Sequence, residues 1–538
     1  IADAVERAVA AAQADGDVIR LDGFSFGLSP KKSLDYAVME RTSKAAVVRA
    51  TFPWSDLGAW KAIYGAHSKD QHDNVVVGNS ILIDSERSFV RSTTLPVAVI
   101  GLRDVAVIAE PDGIVVCNLE ASSSVKAAVD ALRARARPEA LRRVSAPAHR
   151  RDYPNLETAA HQLGLWLDNS ALPLWWTAGA DHEQGGFFEL LDREARPICA
   201  PRRLRVQARQ IYVYASAGLA GWRGPWPDAV RHGLEAIARR YRRSDGLYRT
   251  LCDDSGAPLD ERAFLYDQAF VLLALATATK AGIEPQRCES EALQLHAAIE
   301  ETYARPGGGF VEQELRGSTF QSNPHMHLLE AALAWCEAGG GPSWETLASS
   351  LVTLCVERFV DFESGMLHEF FTESGAPLAG FPGRIIEPGH QFEWAWLLSR
   401  WSERRDEGGV RAVAKRLFEI GDGYGIDPLR GVAIDVLLAD MSAHSRQARL
   451  WPQTERLKAA LALLRHASGE EQKGILERTA LAAAEGLSHY LHTSVPGLWH
   501  DKMRADGTLV DEPSPASSLY HIVCAINVLR THRTDSYQ

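Results

Sequence analysis

The chain has 538 residues, of which 46% are hydrophobic and 24% charged, with a net charge of −11. This composition excludes a disordered, collagenous or coiled-coil chain, and the acidic balance argues against nucleic acid or an anionic membrane as the main partner. Length alone allows roughly three or four domains.

No apolar run reaches the roughly 18 residues of a membrane helix, and no signal peptide opens the chain. Seven scattered cysteines without a CxxC pair suit a reducing compartment, so a cytoplasmic enzyme is expected. The first residues, IADAVERAVAAAQADG, read as the middle of a helix. An upstream portion is therefore expected to precede them.

Residues 1–137 alternate short β runs with helices. NVVVGNSILID, LPVAVIGL, VAVIAEP and GIVVCN are rich in Val and Ile and bounded by Gly, Asn, Asp and Pro, so they read as strands. A helix is expected over 124–137, ended by Pro138, and 138–152 reads as a linker. From Tyr153 onward long amphipathic helices dominate. They are expected at 156–169, 206–220, 226–243, 261–281, 289–303, 326–338, 343–360, 391–406, 409–422, 454–467, 470–491 and 517–531.

Between alternate helices a short glycine-led motif recurs. It reads GGFFELLD at Gly186, GLYRTL at Gly246, GGFVEQ at Gly309 and GMLHEF at Gly365, with weaker copies GYGIDP at Gly425 and GLWHDK at Gly497. A repeat of about sixty residues is two helices plus a connection. No such unit buries its own apolar face, so neighbours must stack. Six units whose loops are varied and aromatic favour a closed (α/α)6 barrel around one pocket over an open solenoid.

Two segments of this second part carry the chemistry. Gln321-Ser-Asn323-Pro-His325-Met-His327-Leu-Leu-Glu330 and Glu387-Pro-Gly-His390-Gln-Phe-Glu393-Trp394 each place a His three residues before a Glu at the opening of a helix. At that spacing the two side chains share a face. Imidazole titrates near neutrality, and a neighbouring carboxylate fixes its tautomer, so two such pairs on one pocket can move a proton on and off carbon. The bland alternative is that each His merely caps a helix. Two His and two Glu are also acceptable metal ligands, although no further ligand cluster is evident.

Arg209, on a helix flanked by aromatics, is a candidate for a sugar oxygen or a developing enediolate. Asn323, His325, Tyr266, Gln268, Trp394 and His521 are candidate substrate contacts at the openings of the inner helices. Core packing is the competing role for each.

RVQARQIYVY, LYDQAF, NPHMHLLEA, EPGHQFEWAWLL and SSLYHI together resemble the N-acylglucosamine 2-epimerase family over residues 153–538. The resemblance implies an (α/α)6 barrel that needs no cofactor. It implies His327 and His390 as the acid/base pair, Arg209 on the substrate carbonyl, and Glu330 and Glu393 as supporting carboxylates.

In residues 1–137, Ser33-Leu-Asp-Tyr-Ala-Val-Met-Glu40 and Trp54-Ser-Asp56-Leu-Gly58 resemble mannose-1-phosphate guanylyltransferase. That implies a partial α/β nucleotidyltransferase domain, with Glu40 on the sugar and Asp56 as a Mg²⁺ ligand. The physics agrees, since Mg²⁺ takes few oxygen ligands from protein. No Gly-rich phosphate loop occurs here, so GTP and GDP-mannose are expected partners only together with an upstream half.

The combined expectation is a mostly α chain. Its barrel interconverts mannose 6-phosphate and fructose 6-phosphate through an enediolate, fused to a guanylyltransferase. The same residues also fit an isomerase or 2-epimerase of an unphosphorylated sugar, and a non-catalytic sugar-binding barrel is the remaining alternative. A small phosphosugar is the expected partner, nucleic acid and membrane are not, and an oligomer is left open.

Overall fold

The computed structural model describes residues 60–110, 113–125, 153–313, 320–372 and 374–535, with short pieces before residue 60. Two compact units result, Ile1–Pro147 and Ala148–Gln538. Glu40, Asp56, the expected helix beyond Val125 and the 138–152 linker lie outside the described residues.

In the first unit, β1 (Gln13–Asp15) and β2 (Val18–Arg20) pair antiparallel. After α1 (Trp60–Ala66) come β3 (Val75–Ile83), β4 (Phe89–Ile100), β5 (Val105–Glu110) and β6 (Gly113–Asn118). They form one sheet in that order, parallel from β3 to β5 and antiparallel between β5 and β6.

All four expected β runs are strands, but the parallel ones are not joined by helices. Residues 84–88 and 101–104 are too short for a crossover, which needs a dozen residues or more. The chain therefore coils, and successive rungs stack Val75, Phe89 and Ala106 in one buried column. Trp60 of α1 stacks on Phe89 with ring centroids 5.8 Å apart. Gly78 makes the coil possible: its φ is +85°, and a Cβ there would fall 1.8 Å from the Ser92 carbonyl oxygen.

The second unit contains the twelve expected helices. They are α2 (Leu156–Trp166), α3 (Leu204–Leu219), α4 (Trp226–Arg240), α5 (Leu265–Lys280), α6 (Pro285–Tyr303) and α7 (Ser322–Glu337). They continue as α8 (Pro342–Leu354), α9 (Pro388–Arg405), α10 (Gly408–Tyr424), α11 (Trp451–Arg465), α12 (Glu470–Leu491) and α13 (Leu519–Asp535).

The odd-numbered helices from α3 to α13 each touch the next, and α13 touches α3, so six inner staves close a ring. Burial separates the layers. In α5, 13 of 16 residues are buried, as an inner stave requires, whereas outer α4 buries one stripe through Val230, Gly233, Leu234 and Ile237. Each inner helix from α3 to α11 is followed by an outer helix that runs back, and outer α2 leads into α3. All six inner N-termini therefore gather at one end.

The glycine-led motif sits at that end, and its geometry explains the repeat. Gly186, Gly246, Gly309, Gly365, Gly431 and Gly497 all have φ between +68° and +100°, a region that L side chains avoid. The fifth copy thus begins at Gly431 (GVAID), not at Gly425.

In each copy one backbone amide is pinned by a side chain of the following inner segment. Gln207 grips the Phe187 N–H and C=O at 2.7 and 2.9 Å, and Gln268 grips those of Tyr248 at 2.9 and 2.8 Å. Gln391 does the same to Leu367, and Gln453 to Ala433. His325 Nε2 accepts the Phe310 N–H at 2.9 Å, and Ser514 serves Trp499. Both backbone groups are buried, and unpaired they would each cost about 1–3 kcal/mol.

Ring closure between the last and first units uses Ala516 N–H to the Glu189 carbonyl at 2.9 Å and the Trp175–Trp499 stack at 4.8 Å. Among the described residues no helix is long and apolar enough to cross a membrane.

Candidate active site

The N-terminal halves of the inner helices bring one cluster of polar and aromatic side chains together. From α3 comes Arg209; from α5, Tyr266; from α7, Asn323, His327 and Glu330. From α9 come His390 and Glu393; from α11, Trp451, Glu455 and Lys458; from α13, Tyr520 and His521. Nine of the twelve are buried, and Tyr266, Asn323 and Trp451 are half-buried.

His390 Nδ1 lies 2.9 Å from Glu369 Oε2. Its spacing partner Glu393 does not make this contact. Glu369 is instead a residue of the GMLHEF hairpin, held by Ser322 Oγ at 3.1 Å. Burial alone would lower the His390 pKa, but Glu369, Glu387 and Glu393 outweigh it and raise it to about 9.

His521 Nδ1 lies 2.8 Å from Glu455 Oε1. Burial, with the Arg209 and Lys458 cations nearby, holds its pKa well below the usual imidazole value. Trp451 stands next to both imidazoles, with centroids 5.2 Å from His390 and 5.7 Å from His521.

His327 is looser, its Nδ1 3.4 Å from Glu330 Oε2 and 3.9 Å from Glu393 Oε1. Burial lowers its pKa to about 4. Its ring stands edge-on to Tyr266 at 5.0 Å. Arg209 donates from Nη2 to the Tyr266 hydroxyl at 2.8 Å and lies 4.2 Å over the Phe270 ring. The Asn323 amide oxygen is buried and accepts no hydrogen bond.

Beneath the histidines lies a buried ionic cluster. Glu330 accepts from the Tyr520 hydroxyl as well as from His327. Burial would raise the Glu330 pKa, but His327, Lys458 and Tyr520 bring it down to about 2. Lys458 Nζ is 2.6 Å from Glu455 Oε2 and 3.8 Å over the Trp396 ring. Glu393, buried beside Glu455 and Glu330, has its pKa pushed well up.

His327, Glu330 and Glu393, and again Glu393, Glu455 and His521, place ligand atoms within 4.8 Å of one another. Both groups share Glu393 and lie beside the Lys458 ammonium. That ammonium, 2.6 Å from Glu455 Oε2, supplies positive charge to the carboxylates in the place a metal ion would.

Three expected substrate contacts are corrected by the geometry. Gln268 is spent on the Tyr248 backbone. His325 uses both ring nitrogens, on Phe310 N and Gln321 O. Trp394 has no exposed surface and packs on Phe359, in the layer between the two rings. Tyr266 lies against Arg209 and His327, and His521 against Glu455 and Trp451.

Sequence reasoning missed Glu369, Glu455, Lys458 and Tyr520. For Glu369 a signal existed: the residue two places after the pinned one is Glu189, Thr250, Glu312, Glu369, Asp435 and Asp501, acidic in five of six copies.

A profile of the N-acylglucosamine 2-epimerase (GlcNAc 2-epimerase) family matches residues 186–525. The chain belongs to this family. It is a sugar isomerase or epimerase barrel. The mannose-6-phosphate isomerase of Rhizobium meliloti (strain 1021) is 44% identical over 377 residues, covering 69% of this chain and 97% of that protein. Cellobiose 2-epimerase from Bacillus thermoamylovorans B4167 shares the fold at 17% identity, with a TM-score of 0.64 over 70% of this chain and 100% of that one.

Ahead of the epimerase-family barrel, a MannoseP isomerase/GMP-like beta-helix domain matches residues 78–132, as the coiled strands require. Mannose-1-phosphate guanylyltransferase of Sinorhizobium fredii (strain NBRC 101917 / NGR234) is 41% identical over 125 residues, 23% of this chain and 24% of that protein. The chain spans about a quarter of that relative's length.

Proposed function

We propose that the barrel interconverts mannose 6-phosphate and fructose 6-phosphate by proton transfer between C1 and C2. The first unit would be the β-helix part of a guanylyltransferase that consumes activated mannose. The 44% identical relative supports the substrate. The residues support the chemistry.

The observation that carries the mechanism is a pair of His–carboxylate couples with opposite charge preference on either side of Trp451. Acid and base roles divide where environments push pKa values apart. His521, neutral, donates Nδ1–H to Glu455 and keeps an Nε2 lone pair for the C2 proton. The electrons left on carbon form the C1=C2 bond of an enediolate, and charge moves to O1.

His390, protonated and fixed by Glu369, gives a proton to O1 and takes one from O2. Arg209 donates to the developing oxyanion. His521 then returns its proton to C1, and the C2 carbonyl closes the sequence. His327, with Tyr266 and Asn323, orients the hydroxyls. The acid/base pair thus moves from His327 and His390 to His390 and His521.

His390→Ala and His521→Ala should each lower kcat by roughly 10²- to 10⁴-fold, measured by NMR with mannose 6-phosphate. His521→Ala with near-normal kcat removes the assigned base. Turnover of mannose or N-acetylglucosamine in place of the phosphosugar replaces the substrate.

A further inference from the structure

Three arginines at the starts of the inner helices, Arg203, Arg205 and Arg449, keep 37%, 30% and 32% of their side-chain surface exposed, and Arg205 has the fewest carboxylate contacts. Arg205 lies one turn before Arg209 on α3, so the two share a face, separated by about 6 Å of helix rise. Both guanidinium groups face the Tyr266 ring, at 5.7 and 5.9 Å. Arg209 is the inner one, 6% exposed and already bound to Tyr266 and Ser517. The Arg205 side chain keeps 30% of its surface exposed, and its ion pair is a single 3.1 Å contact from Nη1 to Asp267.

Other arginines at the starts of the inner helices are more fully engaged. Arg203 is held at 2.9 and 2.6 Å by one oxygen of Glu189. Arg449 is shared between Glu387 at 3.0 Å and Asp435 at 3.1 Å. Asp267, the partner of Arg205, is entirely buried and takes the Thr250 hydroxyl on its second oxygen. Glu312, the nearby acid of the third hairpin, is pushed up by burial to about 8. Arg205, with one contact to one carboxylate, is thus the least hydrogen-bonded of the three.

We propose that Arg205 recognises the phosphate of the substrate, its free guanidinium edge gripping the phosphate oxygens while Arg209 holds the carbonyl end one helical turn deeper. This rests on the phosphosugar reading above. A planar guanidinium matches phosphate in a bidentate fork.

Steady-state kinetics on Arg205→Ala and Arg205→Lys test this, with mannose 6-phosphate and mannose as substrates. Arg205→Ala should raise KM for mannose 6-phosphate by roughly 10- to 100-fold with kcat within about twofold, as for lost uniform binding. Arg205→Lys should recover part of that loss, and mannose turnover should be unchanged in both variants. An equal loss on both sugars, or an unchanged KM for mannose 6-phosphate, overturns the assignment while leaving the phosphosugar reading intact. A wild-type enzyme that shows no preference for mannose 6-phosphate over mannose overturns that reading, and the assignment with it.

Discussion

Replacing Glu369 by Gln removes one charge from the site and little else. The amide keeps the shape, and an oxygen can still accept from Ser322, which lies 3.1 Å from Glu369 Oε2. What is lost is the carboxylate 2.9 Å from His390 Nδ1. His390 titrates near 9 against an ordinary 6.5, with Glu369 the largest influence raising it against burial. That displacement corresponds to about 3 kcal/mol of preference for the imidazolium.

Without the Glu369 charge, Glu387 and Glu393 remain, so the His390 pKa should fall by roughly 1–2 units rather than to the fully desolvated limit. The basic limb of the pH profile of kcat/KM should move down by the same amount. Histidine NMR titration should locate the change at His390. The sign for stability follows from the raised folded pKa. The contribution is complete below about pH 6.5 and disappears as pH rises through about 9. The Tm gap between wild type and Glu369→Gln should therefore be widest near pH 6 and close at high pH. A basic limb that stays in place in the variant refutes the assignment of His390 as the protonated partner.

Gln268→Leu should lower stability by about 1–3 kcal/mol for each of the two buried Tyr248 backbone groups it strands; kcat/KM should stay near wild type, which separates hairpin pinning from substrate contact. Lys458→Met leaves Glu330, Glu393 and Glu455 without their buried cation and should cost about 3–5 kcal/mol in denaturant unfolding. Those carboxylates must then take up protons on folding, so the loss should be smaller at pH 5 than at pH 8. Arg209→Lys cannot rebuild the fork between Tyr266, Ser517 and an oxyanion, and kcat should fall roughly 10- to 100-fold with the fold intact by circular dichroism.

The barrel was legible in the sequence because each of its units repeats the same helical period and the same glycine turn. Where a unit departs from the pattern, the reading slipped. Ala433 stands where other copies have an aromatic or Leu, which makes the turn at Gly431 less visible in the sequence than Gly425. The inner helices α7 and α9 begin earlier than periodicity suggests, at Ser322 and Pro388, because their opening turns are polar.

Spacing along one helix correctly brought His327 and Glu330 together. It could not find Glu369, which reaches His390 from a hairpin 21 residues away. Nor could it find Lys458, which reads as an ordinary surface lysine until the ring of helices closes over it. In the first unit the strands were visible as Val- and Ile-rich runs. The absence of a crossover helix was written in the shortness of 84–88 and 101–104.

The most direct measurement is NMR of the purified chain with mannose 6-phosphate in D₂O. Proton transfer through His521 and an enediolate predicts fructose 6-phosphate carrying deuterium at C1, deuterium washing into C2 of the remaining mannose 6-phosphate, and neither signal in His521→Ala. Conversion with no deuterium at either carbon, or full exchange surviving in His521→Ala, would contradict it.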